Sequence, residues 1–173
     1  MAYPKVAIIV LNFNGIEDTR LCLKSLLKTT YPHFHIFVID NGSKKNEANI
    51  LKKEFRSASW RKKITIIRNQ KNYGFSGGNN RILKKLNEKY AVLVNNDVEV
   101  KASWLRPLVT VLEENKDIAV VQPKILWARN KKYFDYAGAC GGYIDLFGYP
   151  FTRGRIFDTQ ELDKGQYDKI RDV

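Results

Sequence analysis

The chain has 173 residues, 44% hydrophobic and 28% charged, with 30 Lys and Arg against 18 Asp and Glu and a formal net charge of +12. That length suits one domain with a sizeable core, and the balanced composition excludes a low-complexity or disordered chain. The charge favours anionic partners, whether nucleotides, nucleic acid or acidic membrane surfaces, with a solvated lysine-rich surface as the plain alternative.

The first apolar run, Val6–Leu11, is too short to span a membrane and lacks a basic leader and a cleavage site. A cytoplasmic protein is expected, with peripheral contact at the inner face of a membrane as a further expectation. Val6–Leu11 is apolar at consecutive positions, the pattern of a strand covered on both faces. Asn12-Phe13-Asn14-Gly15 follow it, and then Ile16, Leu23, Leu26 and Leu27 share one helical face until Tyr31-Pro32. His33 and His35 point to one side of the next strand, Ile36–Ile39. With no third ligand at a compatible spacing they read as a solvated strand edge ahead of a metal pair.

Asp40-Asn41-Gly42-Ser43 contain a glycosylation pattern, which without a secretory signal reads as a turn. The third strand, Ile64–Ile67, leads into Arg68-Asn69-Gln70-Lys71-Asn72-Tyr73-Gly74. Gly74-Phe75-Ser76-Gly77-Gly78-Asn79-Asn80 then open a helix capped at Ser76 and carrying Ile82, Leu83 and Leu86. The free N–H groups at its start suit a phosphate or sugar hydroxyls, although glycines there also serve as turn punctuation. The fourth strand, Ala91–Val94, runs straight into Asn95-Asn96-Asp97. Ser103 is placed to cap a helix whose stripe is Leu105, Leu108, Val109 and Leu112, with Pro107 in its first turn. A fifth strand is expected at Ile118–Val121.

Strand starts recurring at the length of a strand-helix-strand unit predict an α/β fold, a mostly parallel Rossmann-like sheet flanked by helices. The expected core is 1–122. Residues 123–173 form an aromatic and glycine-rich β segment with a polar tail in the same domain. That segment holds Trp127, Tyr133, Phe134, Tyr136, Tyr143, Phe147, Tyr149, Phe151 and Phe157, for packing or for stacking on acceptor sugar rings. Cys22 and Cys140 match no metal-ligand spacing and read as reduced, buried thiols. The lysines are scattered in pairs without a recognition-module signature, so nucleic acid is not expected as a partner.

Ligands of an open parallel sheet bind beyond the carboxyl ends of its strands, and here those ends are rich in amides and carboxylates. There is no G-x-G-x-x-G after the first strand and no P-loop, so neither a dinucleotide dehydrogenase nor a P-loop nucleotidase is supported. No Ser or Cys stands in a nucleophilic triad. Asp97 meets the need of a magnesium or manganese site, which takes one or two protein carboxylates and fills the rest with phosphate oxygens and water. It equally suits a simple turn before Val98-Glu99-Val100.

In order, VAIIVLNFNG, FVIDNGS, NYGFSGGNN and VLVNNDVEV resemble the family 2 inverting glycosyltransferases, especially the rhamnosyltransferase-like branch. The resemblance implies the glycosyltransferase A-type fold, a nucleoside diphosphate sugar donor and a divalent metal, Mg or Mn. It places Asn12 and Asn14 beside the nucleotide and Asp40 at the base or ribose. Asn72, Gly74, Ser76 and Asn79 would line the donor pocket. Asn95-Asn96-Asp97 take the place of the family's D-x-D, with Asp97 on the metal, Asn96 at the ribose or sugar, and Asn95 where the first acid usually stands. The family's general base comes from a later acidic motif. Asp135, Asp145, Asp158 and Glu161 do not stand in that context, so the catalytic base is unassigned and an N-terminal fragment is expected. The implied function is transfer from a UDP- or dTDP-sugar, with inversion, to a polysaccharide or lipid-linked acceptor, as in cell-wall assembly. The alternatives are a non-catalytic nucleotide-sugar binding module and a basic membrane-surface domain.

Overall fold

The computed structural model describes residues 3–135, 140–156 and 159–168. Tyr136, Phe157, Asp158 and the tail from 169 lie outside the described residues. The chain clusters into two compact units, Met1–Ser103 and Trp104–Val173.

The first unit contains β1 (Val6–Asn12), α1 (Ile16–Leu26), β2 (Phe34–Asp40), α2 (Glu47–Glu54), α3 (Ala58–Arg61), β3 (Ile64–Arg68), α4 (Gly74–Leu83) and β4 (Tyr90–Asn95). The strands pair in parallel in the order β3-β2-β1-β4. Residues Val6 to Val10 of β1 are fully buried, because β1 is central and its consecutive apolar side chains are covered on both faces. β4 departs from that pattern. Its exposure alternates along the strand and Leu93 is 47% exposed, so one of its faces is less covered than the other.

The strands also run one or more residues past the apolar runs, so their last members are polar. In register, Asn12 lies opposite Asp40, Leu11 opposite Asn95, and Asp40 opposite Arg68. The sheet thereby delivers polar residues from all its strands to one edge. The chain goes from β1 outward to β2 and β3 and then returns to β4 on the other side of β1. The topological switch point, where such sheets open a crevice, therefore lies between Asn12 and Asn95.

On α1, Leu23 and Leu26 are fully buried, as their spacing predicts. Ile82 of α4 joins Ile9 and Ile39 in a cluster flanked by Leu11, Phe37, Ile67, Leu83 and Leu86. α4 starts at Gly74, ahead of the expected cap at Ser76, because the Asn72 Oδ1 accepts from the Gly74 N–H at 2.8 Å and closes the first turn earlier. Gly74 has φ 69°, the left-handed region where a side chain is strained.

In the second unit, α5 (Leu105–Glu114) buries Leu105 and Val109 and carries Pro107 in its first turn. The position before it belongs to Trp104, not Ser103. The aromatic segment forms an antiparallel sheet, β5 (Gly142–Ile144), β6 (Pro150–Thr152), β7 (Arg155–Ile156) and β8 (Thr159–Gln160), as its composition predicts. Phe134 is fully buried against Gly154, where a Cβ would stand 2.6 Å from the ring.

The expected fifth strand at Ile118–Val121 does not form, and Val120 is 83% exposed. An apolar run becomes a strand only when a neighbour receives its backbone N–H and C=O groups, and among the described residues none does.

Cys22 is buried, with its Sγ 3.7 Å from the Asn95 carbonyl. Burial, reinforced by the Asp97 charge, pushes its thiol up to about 12. At pH 8 only about one Cys22 in 10⁴ is then a thiolate, so iodoacetamide is expected to alkylate the half-buried Cys140 and spare Cys22 until the chain unfolds. Peptide mass spectrometry checks this, and equal labelling of both in the native protein would contradict it. Because the folded thiol keeps its proton above the ordinary 9.0, its contribution is present below that pH and lost as pH rises toward 12.

Candidate functional site

The segments leaving β1, β2 and β3 are tied to one another by side-chain hydrogen bonds. Asn14 adopts φ 53°, a left-handed conformation that Asn tolerates better than most residues. Its Oδ1 accepts from the Lys44 N–H at 2.9 Å, and its own N–H donates to the Ser43 Oγ at 2.9 Å. Asp40 is fully buried. Its carboxylate accepts from the N–H groups of Ser43 at 3.0 Å and Ala48 at 3.1 Å, with the Arg68 Nε 3.6 Å away. Ala48 lies in the first turn of α2, where unpaired N–H groups and the helix dipole favour a carboxylate.

Asn41 joins the β2 and β3 loops. Its Nδ2 donates to the Asn72 Oδ1 at 2.8 Å and the Gly74 carbonyl at 3.1 Å, while its Oδ1 accepts from the Asn69 Nδ2 at 2.9 Å and the Tyr73 N–H at 3.2 Å. The loops approach so closely that a Cβ on Gly42, which has φ 79°, would stand 2.5 Å from the Lys71 carbonyl carbon. Asn79, buried in α4, donates to the Phe75 carbonyl at 3.0 Å. A Cβ on Gly78 would meet the end of the Leu11 side chain at 2.6 Å.

On the other side of β1, the Asn96 Nδ2 donates to the Gly15 carbonyl at 3.2 Å and the Thr19 Oγ1 at 3.1 Å. Asn12 is fully buried, its Nδ2 donating to the Glu47 Oε2 at 2.8 Å and its Oδ1 accepting from the Thr19 hydroxyl at 2.9 Å. Asp97 follows, exposed, with no hydrogen bond or ion pair on its carboxylate among the described residues.

The sequence-predicted residues stand at the carboxyl edge of the sheet, in the loops beyond it, or, for Gly74, Ser76 and Asn79, in α4, with unequal access. Asn12, Asp40 and Asn79 are buried and their side chains are used within the protein. Asn72, Gly74, Ser76 and Asp97 are exposed, as is Asn14, and Asn96 is half-buried. Sequence reasoning missed Thr19, Asn41, Glu47 and Arg68. Thr19 carries a readable signal, a polar residue between Ile16 and Leu23 on the apolar face of α1. Glu47 carries none.

An exposed hard-oxygen carboxylate free of partners fits a magnesium or manganese ion shared with phosphate oxygens and water. Among the described residues no group of three or more His, Cys, Asp and Glu forms a self-contained metal site. A depression lined by Lys5, Val6, His33, Phe34, His35 and Glu88 lies at the opposite, amino ends of β1 and β2. Its histidines are engaged, His33 Nδ1 with the Tyr3 carbonyl at 2.9 Å and His35 Nε2 with the Thr65 Oγ1 at 2.8 Å. Burial holds His35 below the ordinary histidine value. No described helix is long and apolar enough to cross a membrane.

The family model described as Glycosyl transferase family 2 matches residues 7–157. An uncharacterized glycosyltransferase of Haemophilus influenzae is 30% identical over 118 residues, covering 68% of this chain and 36% of that protein. The O-antigen biosynthesis protein RfbC of Myxococcus xanthus is 28% identical over 152 residues, covering 87% of this chain and 11% of that protein. The chain therefore spans about a third or less of the length of these relatives. Among solved structures, the mannosyltransferase PcManGT from Pyrobaculum calidifontis, in complex with GDP-Man and Mn2+, aligns with a TM-score of 0.62 at 16% identity, covering 75% of this chain and 38% of that one. TarS 1–349 of S. aureus in complex with UDP-GlcNAc aligns at 0.56 and 19% identity, covering 72% and 38%. These likenesses show the fold, a glycosyltransferase A-type α/β unit.

Proposed function

Because the chain belongs to glycosyl transferase family 2, we propose that its first unit binds the donor in transfer of a sugar from a UDP- or dTDP-sugar, with inversion, to a polysaccharide or lipid-linked acceptor. The observation that carries this reading is the exposed Asp97, with no hydrogen bond or ion pair among the described residues, just after β4 at the β1/β4 switch point. The biosynthetic role in the name of the M. xanthus relative supports the acceptor class, and the NNDVEV segment supports the rhamnosyltransferase-like branch.

The chain's residues divide the work. Asn12, Asp40, Asn14 and Asn79 hold the backbone that frames the base and the start of α4, reaching the donor through the segments they fix. Asn72, Gly74 and Ser76, exposed at the amino end of α4, line the place for phosphate or sugar hydroxyls; the Gly74 N–H is held by the Asn72 Oδ1, so the donors offered are the following N–H groups of the first turn. Asn96 has its Nδ2 engaged, leaving its Oδ1 to accept from a ribose or sugar hydroxyl. A divalent cation, Mn2+ or Mg2+, held by Asp97 would supply positive charge to the departing diphosphate.

In the transfer, the acceptor oxygen bonds to the anomeric carbon from the face opposite the phosphate. The bond from anomeric carbon to phosphate oxygen breaks, its electron pair leaves on the diphosphate, and the acceptor proton passes to a carboxylate base. Asp145 accepts from the N–H groups of Phe147 and Tyr149 in a hairpin turn, and Glu161 accepts from the Tyr167 hydroxyl. The base is assigned to neither. The net charge of +12 draws anionic donors toward the protein and supports peripheral contact with an acidic membrane face.

Calorimetric titration of UDP and dTDP in the presence of Mn2+ is the direct test. Saturable binding with one base preferred, weakened at least about tenfold by EDTA, is the expected result. Absence of binding by both nucleotides would remove the reading.

A further inference from the structure

We propose that Asn96, Thr19, Asn12 and Glu47 form a directional hydrogen-bond relay, buried except at Asn96, that sets the turn carrying Asp97, making Thr19 and Glu47 positioning residues for the diphosphate end of the donor site. The inference rests on the donor-site reading given above.

The direction of the relay follows from its far end. The Glu47 carboxylate only accepts, so the Asn12 amide must present its Nδ2 to Glu47, at 2.8 Å, and its Oδ1 to Thr19, at 2.9 Å. The Thr19 hydroxyl has one proton and two acceptors in range, the Asn12 Oδ1 and the Gly15 carbonyl, each at 2.9 Å. The Gly15 carbonyl already accepts from the Thr19 N–H at 3.0 Å and the Asn96 Nδ2 at 3.2 Å. The Asn12 Oδ1 has no other donor among the described residues. Since a buried acceptor left without a donor is costly, the proton goes to Asn12. Thr19 is left with its lone pairs toward Asn96, whose Nδ2 donates at 3.1 Å.

Asn12, Thr19 and Glu47 are at most 6% exposed. Each member fixes the next, which is how fully satisfied buried networks hold one arrangement. Gly15 leaves room for the arrangement: a Cβ there would stand 2.7 Å from the Asn96 Nδ2. The relay also crosses the sheet, linking the first residue of α2 through β1 and α1 to the turn after β4. The turn carrying Asp97 is thereby coupled to the start of α2, where the Ala48 N–H holds the Asp40 carboxylate.

The test combines amide hydrogen exchange by NMR with UDP titration in Mn2+ and in EDTA, on the full chain and on Thr19→Val, Thr19→Ser and Gly15→Ala. Thr19→Val is expected to speed exchange of the Asn96 side-chain amide and the 96–98 backbone amides about tenfold. It should weaken Mn2+-dependent UDP binding by a similar factor while leaving metal-free binding of uridine within about twofold. Gly15→Ala should reproduce both effects by displacing Asn96, and Thr19→Ser should restore both. Unchanged exchange at 96–98 in Thr19→Val overturns the relay. So does a loosened turn with unchanged Mn2+-dependent affinity, or equal loss of uridine binding that serine fails to rescue. If the unsubstituted protein takes no nucleotide, the donor-site reading fails, and exchange at 96–98 alone decides whether Thr19 sets the turn.

Discussion

Replacing Asp97 by alanine is expected to weaken Mn2+-dependent UDP binding about a hundredfold, or ~2.7 kcal/mol, with the melting temperature unchanged within error. The two halves of this result have separate causes. Asp97 is exposed and forms no hydrogen bond or ion pair among the described residues, so its loss removes nothing that holds the fold. Its position is occupied otherwise by amides, Asn95 and Asn96, which carry no charge. A cation shared with a diphosphate would then lose its protein carboxylate, and the protein's part in the complex would fall to neutral donors and acceptors. Asp97→Asn keeps the shape and removes the charge, so it should lose nearly as much. Titration calorimetry with and without Mn2+ reads both variants, and alanine binding UDP as tightly as aspartate would end the assignment of Asp97 to the diphosphate.

The second large effect falls on stability. Gly42→Ala is expected to cost about 3 kcal/mol, on the order of 10 °C in melting temperature. Two costs coincide at this residue. Its φ of 79° strains any side chain, and the new Cβ would stand 2.5 Å from the Lys71 carbonyl carbon and 2.8 Å from the Asn72 nitrogen. Backbone cannot swing aside as the end of a long side chain can. Gly74 is the internal control. It has a similar φ of 69° but nothing within 4 Å of its Cβ position, so Gly74→Ala should carry the backbone strain alone, about 1 kcal/mol. Thermal melts of the two variants separate strain from crowding; equal losses would mean that the close loop contact contributes nothing.

The parts of the fold that the sequence announces are those whose signal is local. Consecutive apolar residues, most of them β-branched, at Val6–Leu11 and Ile36–Ile39 mark the buried central strands, and their polar continuations mark the carboxyl edge. The stretch at 118–121 has the same local character and forms no strand, because pairing depends on a neighbour elsewhere in the chain. Ser76 has the chemistry of a cap, yet Asn72 reaches the Gly74 N–H first. The site divides the same way. Asp97 is legible as a carboxylate at a strand end, whereas the Asn12–Glu47 and Asn41–Asn72 bonds join residues 35 and 31 positions apart, and no spacing rule contains them. Asn12 and Asp40 have the residue types of ligand contacts, and the structure has turned those same groups inward to hold the loops.

The knit of Asn41 with residues 69, 72, 73 and 74 also limits how this protein can diverge. A change at Asn41 strands four partners after β3 at once, so the β2 and β3 loops must vary together or not at all. Phe13, Phe75 and Ser76 are exposed, and among the described residues no side-chain hydrogen bond ties them to that frame. Inherited change in donor preference has an open route through these rim positions, one substitution at a time, while the frame beneath them stays as it is.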